Sequence, residues 1–361
     1  MPDFHVPGVY VEEVRFPARI EGVPTSAAGF IAVTGSGPLL GPLTSFADFE
    51  RAATGNLGVN LPLAVRGFFD NGGERCFVAQ VAAGESLEPG LAALAAEKIS
   101  ILCCPDEALV QNAAAILAAH CENRKDCMCI LQSLHAVVPT ATHQPPVHSS
   151  YVAYYYPWVT VPSLDGTSSV TIPPCGHIAG IYAQTDNARG VWHAPANVAL
   201  AGVTALSHDL TDAESDELNT GGINTLRRFS GQGVKVWGAR TTSTDTNWLY
   251  VNIRRFFIFL EESIQKGTQW AVFEPNGPKL WASVHASIEN FLENLWQQGA
   301  LQGATRQDAF FVKCDLTTMT QDDVDNGRLI CIVGIAAVRP AEFVIIQIGM
   351  FLQSGPWPPN P

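Results

Sequence analysis

The sequence carries little charge, and little of that charge is positive. Charged residues make up 15% of the 361 residues, and 21 Lys and Arg stand against 34 Asp and Glu, which gives a net charge of -13. A nucleic-acid surface needs clustered Lys and Arg to neutralise phosphates, so this composition argues against nucleic acid as a partner. Hydrophobic residues reach 47%. A chain with so few charges is predicted to bury part of its apolar surface in contacts between subunits.

A long hydrophobic run and a secretory leader are also missing. The longest apolar stretches, 329–338 and 343–352, are about half as long as a membrane-spanning helix requires. Residues 1–14 have neither the basic nor the apolar region of a signal peptide. The nine cysteines have no regular spacing and several lie in apolar segments, which predicts free, buried thiols in a reducing compartment. We therefore expect a soluble protein.

Motifs of nucleotide binding and nucleophilic catalysis are incomplete. Gly35, Gly37 and Gly41 lie between a predicted strand and a predicted helix, but their spacing fits neither the dinucleotide fingerprint nor the Walker loop. The segment GHIAGIY (176–182) has no nucleophile at the elbow position. A catalytic triad assembled from residues that are distant in the sequence remains an alternative. An α/β enzyme with a pocket near the Pro- and His-rich loop 139–150 is therefore a competing hypothesis.

Metal-binding patterns are incomplete as well. Cys127 and Cys129 lie two residues apart on an apolar strand, and Cys175 with His177 forms another isolated pair. Structural zinc usually requires two such pairs held on tight turns. The acidic run 322–325 lacks the ligand order and the closing Glu of a calcium loop. We predict no metal and no other cofactor.

The first half of the sequence alternates between strand and helix patterns. GFIAVTG (29–35) predicts a strand, and Ser45 is placed to cap the helix that follows. A second helix is predicted to end at Asn71, and the cycle of strand, helix and strand then repeats. Such alternation is typical of an α/β layer. We assign residues 23–200 to an outer α/β domain.

The second half has a different texture, and we assign residues 201–342 to an inner domain of two long helices and a small sheet. Apolar residues recur at helical spacing over 249–265 and 279–298, and two strand patterns follow at 310–314 and 328–338. The charged residues expected to face outward from the first helix are Arg254, Arg255, Glu261 and Glu262. The aromatic residues expected in a core or an interface include Trp270, Phe273, Trp281 and Trp296.

The two ends of the sequence are predicted to be arms. Residues 1–22 are broken by several prolines and favour an extended path, with a short strand pattern at 9–14. Residues 343–361 begin with a strand pattern, FVIIQIGMF, that is apolar on both faces. Such a strand needs neighbours on its sheet, and a second copy of the chain could supply them.

Motifs spread over nearly the whole chain carry a family resemblance. They include PGVYVEEV, AVRGFFDNGG, GIYAQTDNARGVWHAPAN, INTLRRFSGQGVKVWGARTT and YVNIRRFFIFLEESIQKGTQWAVFEPN. In these motifs the chain resembles the tail sheath proteins of contractile injection systems, the group of contractile phage tails, R-type tailocins and extracellular phage-tail-like particles. The resemblance implies a compact two-domain α/β (α+β) sheath subunit with extended β arms at both ends. Larger sheaths carry extra surface domains, for which this chain is too short.

The resemblance also implies a mechanical function and its partners. Relatives form stacked six-fold rings around an inner tube and contract to drive it through an envelope, so the protein is expected not to be an enzyme. Expected partners are further copies of the chain, the inner tube, and baseplate and tail-terminator proteins, and a second sheath paralogue is left open. Assembly is expected in the bacterial cytoplasm, without a signal peptide or membrane insertion, followed by residence in a phage tail or a released particle. Another tail or baseplate protein is a further alternative, although tube subunits are shorter β-barrels.

In relatives, the N-terminal arm of one subunit and the C-terminal arm of another add strands to the small sheet of a third. Carried over here, the arm residues are Val9, Tyr10, Val11, Glu12, Val14, Phe343, Val344, Ile345, Ile346 and Ile348. The receiving strands contain Phe311, Val312, Lys313, Leu329, Ile330, Ile332 and Val333. A tube contact is expected in the polar segment 317–326, because it interrupts the sheet and exposes charge. Its residues are Thr317, Asp322, Asp323, Asp325 and Asn326.

Overall fold

Strands and helices alternate up to residue 237, and helices dominate after it. The computed structural model describes residues 19–140 and 142–342, so the predicted arm strands at 9–14 and 343–351 lie outside the described residues. The strands are β1 Ala28–Val33, β2 Leu40–Leu43, β3 Cys76–Val81, β4 Ile101–Cys103, β5 Met128–Gln132, β6 Val152–Tyr156, β7 Val159–Pro162, β8 Ser169–Ile172, β9 Val198–Ala199, β10 Ala205–Leu206, β11 Ile223–Phe229, β12 Gly233–Trp237, β13 Phe310–Lys313 and β14 Ile332–Ile335. The α-helices are α1 Phe46–Ala52, α2 Asn60–Asp70, α3 Glu88–Leu94, α4 Ala113–Arg124, α5 Cys175–Arg189, α6 Asp212–Thr220, α7 Val251–Gly267, α8 Pro278–Gln297, α9 Arg306–Ala309 and α10 Gln321–Asp325.

One large sheet of nine strands organises the first part of the chain, in the order β2-β3-β1-β4-β5-β6-β11-β12-β9. The six strands from β3 to β11 are parallel to their neighbours, and β2, β12 and β9 are antiparallel additions at the edges. A parallel pair needs a crossover connection, which the intervening helices supply. The strand order reverses at β1, with β3 on one side and β4 on the other, so the sheet is doubly wound. The predicted α/β class is confirmed.

Both faces of this sheet are covered. All six residues of β1 are buried. Phe30 belongs to the apolar core beneath α2 and α5, whereas Ile31 belongs to the core beneath α3, α4 and α6. A strand buried on both faces must be apolar throughout, which explains why β1, β4 and β5 read as continuous hydrophobic runs.

Glycines allow α2 and α5 to pack closely on one face. A Cβ atom at Gly176 would overlap the carbonyl oxygen of Ala64, and one at Gly67 would overlap the ring of His177. The hydroxyl group of Tyr182 on α5 is hydrogen-bonded to that of Tyr155 on β6 at 2.8 Å, which fixes α5 to the sheet. The two helices therefore form a fixed layer whose spacing depends on residues without side chains.

The later helices build a third apolar cluster. α7 and α8 pack with the hairpin of β13 and β14 around Phe256, Leu292 and Phe310. α8 starts at Pro278, whose fixed φ suits the first helical position. A small sheet in the order β10-β7-β8 lies within the first part of the chain. The two long helices and the small C-terminal sheet were both predicted from the apolar spacing.

The predicted polarity of α7 is wrong at two positions. Arg254 and Arg255 are 7% and 3% exposed, whereas Glu261 is exposed as expected. Arg254 donates hydrogen bonds to the hydroxyl of Ser150 at 2.8 and 3.1 Å, and Arg255 pairs with Asp186 of α5. α7 is therefore covered on two sides, by α8 and by the part of the chain that carries the large sheet.

The predicted domain boundary at residue 200 falls inside the run of strands that forms the large sheet. β11 and β12 follow that residue and pair with β6 and β9. The first helix of the third apolar cluster, α7, begins at Val251. We propose a boundary near residue 242, which keeps each sheet within one unit.

Candidate assembly surface

The hairpin of β13 and β14 is partly exposed along both strands. Phe311 lies opposite Gly334, and Lys313 lies opposite Ile332. Within the described residues each of the two strands has only the other as a strand neighbour. Two strands alone are marginally stable, and the hairpin depends on α8, against which Phe310 packs.

The outer face of this hairpin remains apolar in part. Phe311 is 50% exposed and Ile332 is 46% exposed. Of the residues predicted to receive arms, three lie in β13 and two in β14, namely Phe311, Val312, Lys313, Ile332 and Val333. Leu329 and Ile330 precede β14 in an irregular segment, because the hydroxyl of Thr318 donates to the Ile330 carbonyl at 2.7 Å.

The polar segment after β13 contains the short helix α10. Thr320 caps this helix, accepting from the Asp323 amide at 3.2 Å while the Asp323 carboxylate accepts from the Thr320 amide at 2.9 Å. Arg328 closes the segment by donating to Asp323 at 2.8 Å and to Asp322 at 2.9 Å. The sequence pattern T-x-x-D is a capping box, so the segment is folded rather than an open loop.

The five residues predicted to touch a tube divide into two groups. Thr317, Asp322, Asp325 and Asn326 are exposed. Asp323 is partly buried, and hydrogen bonds from Thr320 and Arg328 lower its pKa to about 2. Asp323 therefore holds the segment together, and the exposed members are the ones available to a partner.

The loop between α7 and α8 lies beside this segment. The side-chain amide of Asn276 donates to the carbonyls of Val324 at 3.3 Å and Arg328 at 3.2 Å. The same side chain accepts from the indole of Trp281 at 2.8 Å. Trp281 is buried as predicted, whereas Phe273 at the tip of the loop is fully exposed. The loop and the acidic segment form one continuous surface.

A buried ion pair connects α7 to the part of the chain that carries the large sheet. The Arg255 guanidinium donates to both carboxylate oxygens of Asp186 at 2.7 Å and to the carbonyl of Thr25 at 2.8 Å. The Thr25 hydroxyl donates to the same carboxylate at 2.5 Å. Burial raises the pKa of Asp186, and the charge of Arg255 opposes that rise. The sequence did not predict this ion pair. Its one indication there is an Arg that borders the apolar stripe of α7.

A second ion pair fixes the last described residue. Arg240 donates to the carboxylate of Glu342 at 2.9 Å and to the carbonyl of Asn219 at 2.9 Å. The hydroxyl of Tyr250 adds a bond to Glu342 at 3.3 Å. The point at which the chain continues into 343–361 is therefore held against the loop after β12.

The Cys and His residues considered for metal or catalytic chemistry are buried. Cys127, Cys129 and Cys175 are free thiols, and burial raises the pKa of Cys129 to about 12. Burial lowers the pKa of His177 to about 4. In residues 19–140 and 142–342 no group of three His, Cys, Asp or Glu side chains is arranged to hold a metal ion. Nor does that part of the chain contain a helix long and apolar enough to span a bilayer.

Family models match most of the chain. Residues 80–242 match the phage tail sheath protein central domain, and residues 243–351 match the phage tail sheath C-terminal domain. The chain belongs to the phage tail sheath family. The junction of the two models coincides with the boundary proposed above, between the large sheet and α7. The predicted family resemblance is confirmed.

Solved structures and a curated relative extend the comparison with this sheath-family chain. It is 31% identical to a chain of the PVC sheath complex, an extracellular contractile injection system in its contracted state, with a TM-score of 0.80 over 98% of this chain and 99% of that one. It is 36% identical to a chain in the six-fold symmetrised anti-feeding prophage baseplate structure, with a TM-score of 0.76 over 97% and 100%. The tail sheath protein of Vibrio phage KVP40 is 27% identical over 180 residues, which are 49% of this chain and 26% of that protein. The chain thus spans about a quarter of that curated relative's length.

Proposed function

We propose that the protein is the structural subunit of a contractile sheath, which assembles as stacked six-fold rings around an inner tube and shortens to drive that tube through an envelope. The observation that carries this proposal is the likeness over nearly the full length of both chains to a sheath in its contracted state. The low charge of the chain and its apolar hairpin face fit a protein that works in contact with copies of itself. Its partners would be the inner tube, baseplate and tail-terminator proteins.

Contraction would draw its energy from contacts between subunits. A metastable extended lattice relaxes when its subunits rotate as rigid bodies into contacts that bury more surface. The buried pair of Arg255 and Asp186 supports this view, because it ties the two parts of the subunit together through charge-assisted hydrogen bonds. Such a mechanism needs no nucleotide during firing.

Arms exchanged between subunits would keep the lattice connected. The hairpin of β13 and β14 has two strands and a partly exposed apolar face, which fits strand addition by residues 9–14 and 343–351 of neighbouring copies. The bond between Arg240 and Glu342 supports the same idea, because it gives the C-terminal arm a fixed origin. We assign the tube contact to the exposed part of 317–326.

Electron microscopy of the purified protein, with and without its tube protein, tests the main proposal. We expect ring-stacked cylinders with six-fold symmetry. Monomers that persist under all conditions and turn over a substrate would contradict it and favour an enzyme. The bacterial cytoplasm is the proposed place of assembly, so cylinders should also be visible in lysed producing cells.

Deletion of residues 1–16 tests arm exchange. The truncated protein should keep its circular dichroism spectrum and melting temperature, because the core residues that the structure describes begin at Ile20. It should nevertheless fail to build a connected sheath. Contractile particles made from the truncated protein would show that this arm is not the link.

A further inference from the structure

Phe273 is an exposed aromatic residue in an unusual backbone conformation. Its side chain is fully exposed, and the neighbouring Val272 is 63% exposed. Its φ of 69° lies in the left-handed region, which side chains with a Cβ rarely adopt. A folded protein keeps such a residue in place only where the surrounding structure determines it, and such positions cluster at functional contacts. Exposure and backbone conformation thus point to the same residue.

The loop that carries Phe273 is held rigidly. Thr268 ends α7 by donating its amide to the Ile264 carbonyl at 2.9 Å, and a single 3-10 turn, Gln269–Ala271, follows. On the other side, Asn276 is fixed by Trp281 and by two carbonyls of the segment that contains α10. The ring of Phe273 is therefore presented to solvent from a structured base, which reduces the entropy that binding would cost.

Exposed carboxylates lie in the loop and on the adjoining segment. Glu274 follows Phe273 in the loop, and Asp322 and Asp325 are exposed on the adjoining α10. Arg328 is already paired with Asp322 and Asp323, and the exposed cations near the loop in sequence are Lys266 and Lys279. An apolar centre with a charged rim is the usual anatomy of a protein interface, and the sign of the rim selects a basic partner.

We propose that Val272 and Phe273 form the apolar anchor of the tube contact, and that they enter an apolar pocket bordered by Lys and Arg on the inner-tube protein. This inference rests on the proposed tube contact of the adjoining segment 317–326, to which Asn276 joins the loop. The acidic residues steer and orient the partner, and the ring supplies the contact that excludes water.

Phe273→Asn is the test variant, because Asn accepts the left-handed conformation and removes the ring without new backbone strain. Phe273→Tyr keeps the ring and should behave like the native protein. Leu109→Asn removes an equally apolar side chain, 62% exposed, from the loop after β4 and is the matched control. Melting temperatures of all variants establish that they are folded. Co-sedimentation with preformed tubes measures the subunit concentration for half-maximal binding.

For Phe273→Asn we expect that concentration to rise by about tenfold or more, as for an interface anchor, with tube-free polymerisation unchanged. If Phe273→Asn binds tubes as tightly as the native protein while the double variant Asp322→Asn/Asp325→Asn binds them more weakly, Phe273 is not the anchor and the proposed tube contact at 317–326 still holds. If both variants bind tubes normally, the anchor and the proposed tube contact both fail. Equal loss of tube binding and tube-free polymerisation would place Phe273 between sheath copies, which also overturns the anchor.

Discussion

Arg255→Met is expected to destabilise the subunit severely. The side chains of Arg255 and Asp186 are 3% and 2% exposed, so neither group can turn to water when its partner is lost. The substitution removes three donated hydrogen bonds, two to Asp186 and one to the Thr25 carbonyl. Removing one partner of a buried pair typically costs about 3–5 kcal/mol, because the other charge stays buried without compensation.

The same substitution should make stability depend more strongly on pH. Burial raises the pKa of Asp186 above its value in the unfolded chain, and Arg255 limits that rise. Without Arg255 the folded pKa increases further. A carboxyl with a raised folded pKa favours the folded state while it is protonated, and that stability is lost as pH rises from the unfolded pKa through the folded one. The cost of Arg255→Met should therefore be smaller at pH 5 than at pH 8.

Urea unfolding followed by tryptophan fluorescence and circular dichroism measures these differences. Arg189→Met, on the exposed face of α5, is the matched control and should change stability by less than about 0.5 kcal/mol. Asp186→Leu in the Arg255→Met background should recover part of the loss, because an apolar pair leaves no buried charge. A single-substitution cost below about 1 kcal/mol, or a cost that Asp186→Leu does not reduce, would refute the reasoning.

Two further substitutions probe the large sheet and its helices. Burial raises the pKa of Glu107, in the 3-10 turn that follows β4, to about 8, so the native protein should lose stability as pH rises from about 4.5 to 8. Glu107→Gln should remove this loss. In urea titrations over that range, the free energy of unfolding of the variant should rise relative to that of the native protein by roughly 1 kcal/mol per pH unit. Parallel pH profiles of the two proteins would contradict this expectation. Gly176→Ala should cost about 1–3 kcal/mol in the same assay because its methyl group overlaps α2, whereas Gly35→Ala, with open space around it, should cost little. Equal effects at both glycines would argue against the close packing of α2 and α5.

Local patterns predicted the elements of this fold well. Ser45 caps α1 by accepting from the Asp48 amide, as expected from its position before an apolar repeat. Ile253, Phe256 and Leu260 of the predicted stripe occupy the buried face of α7 at helical spacing, and Phe257 is half-buried. In each case the deciding interaction lies within one turn or one helix face, so the sequence nearby contains the information.

Long-range polar contacts could not be predicted in the same way. Helical periodicity places Arg255 on a polar face of α7. It is buried only because α5 packs against that face and brings Asp186, 69 residues earlier in the sequence, into contact with it. The strand predicted at 328–338 shrinks to Ile332–Ile335, because Arg328 is bound by α10 and the Ile330 carbonyl is taken by Thr318. Hydrophobicity marks a segment that could be a strand, but the pairing of its backbone is decided by residues elsewhere.

The exposure of Phe273 in the loop between α7 and α8 could not be predicted from the sequence either. Aromatic density predicted that Phe273 and Trp281 both lie in a core or an interface, and within the subunit Trp281 is buried whereas Phe273 is exposed. The difference arises because the Asn276 side chain binds the Trp281 indole and two carbonyls near α10, which fixes the loop so that Phe273 faces water. A sequence pattern identifies residues that avoid water on average. Only the position of the loop shows which of them a subunit leaves uncovered, and uncovered apolar residues on a fixed base are the ones that an assembly can use.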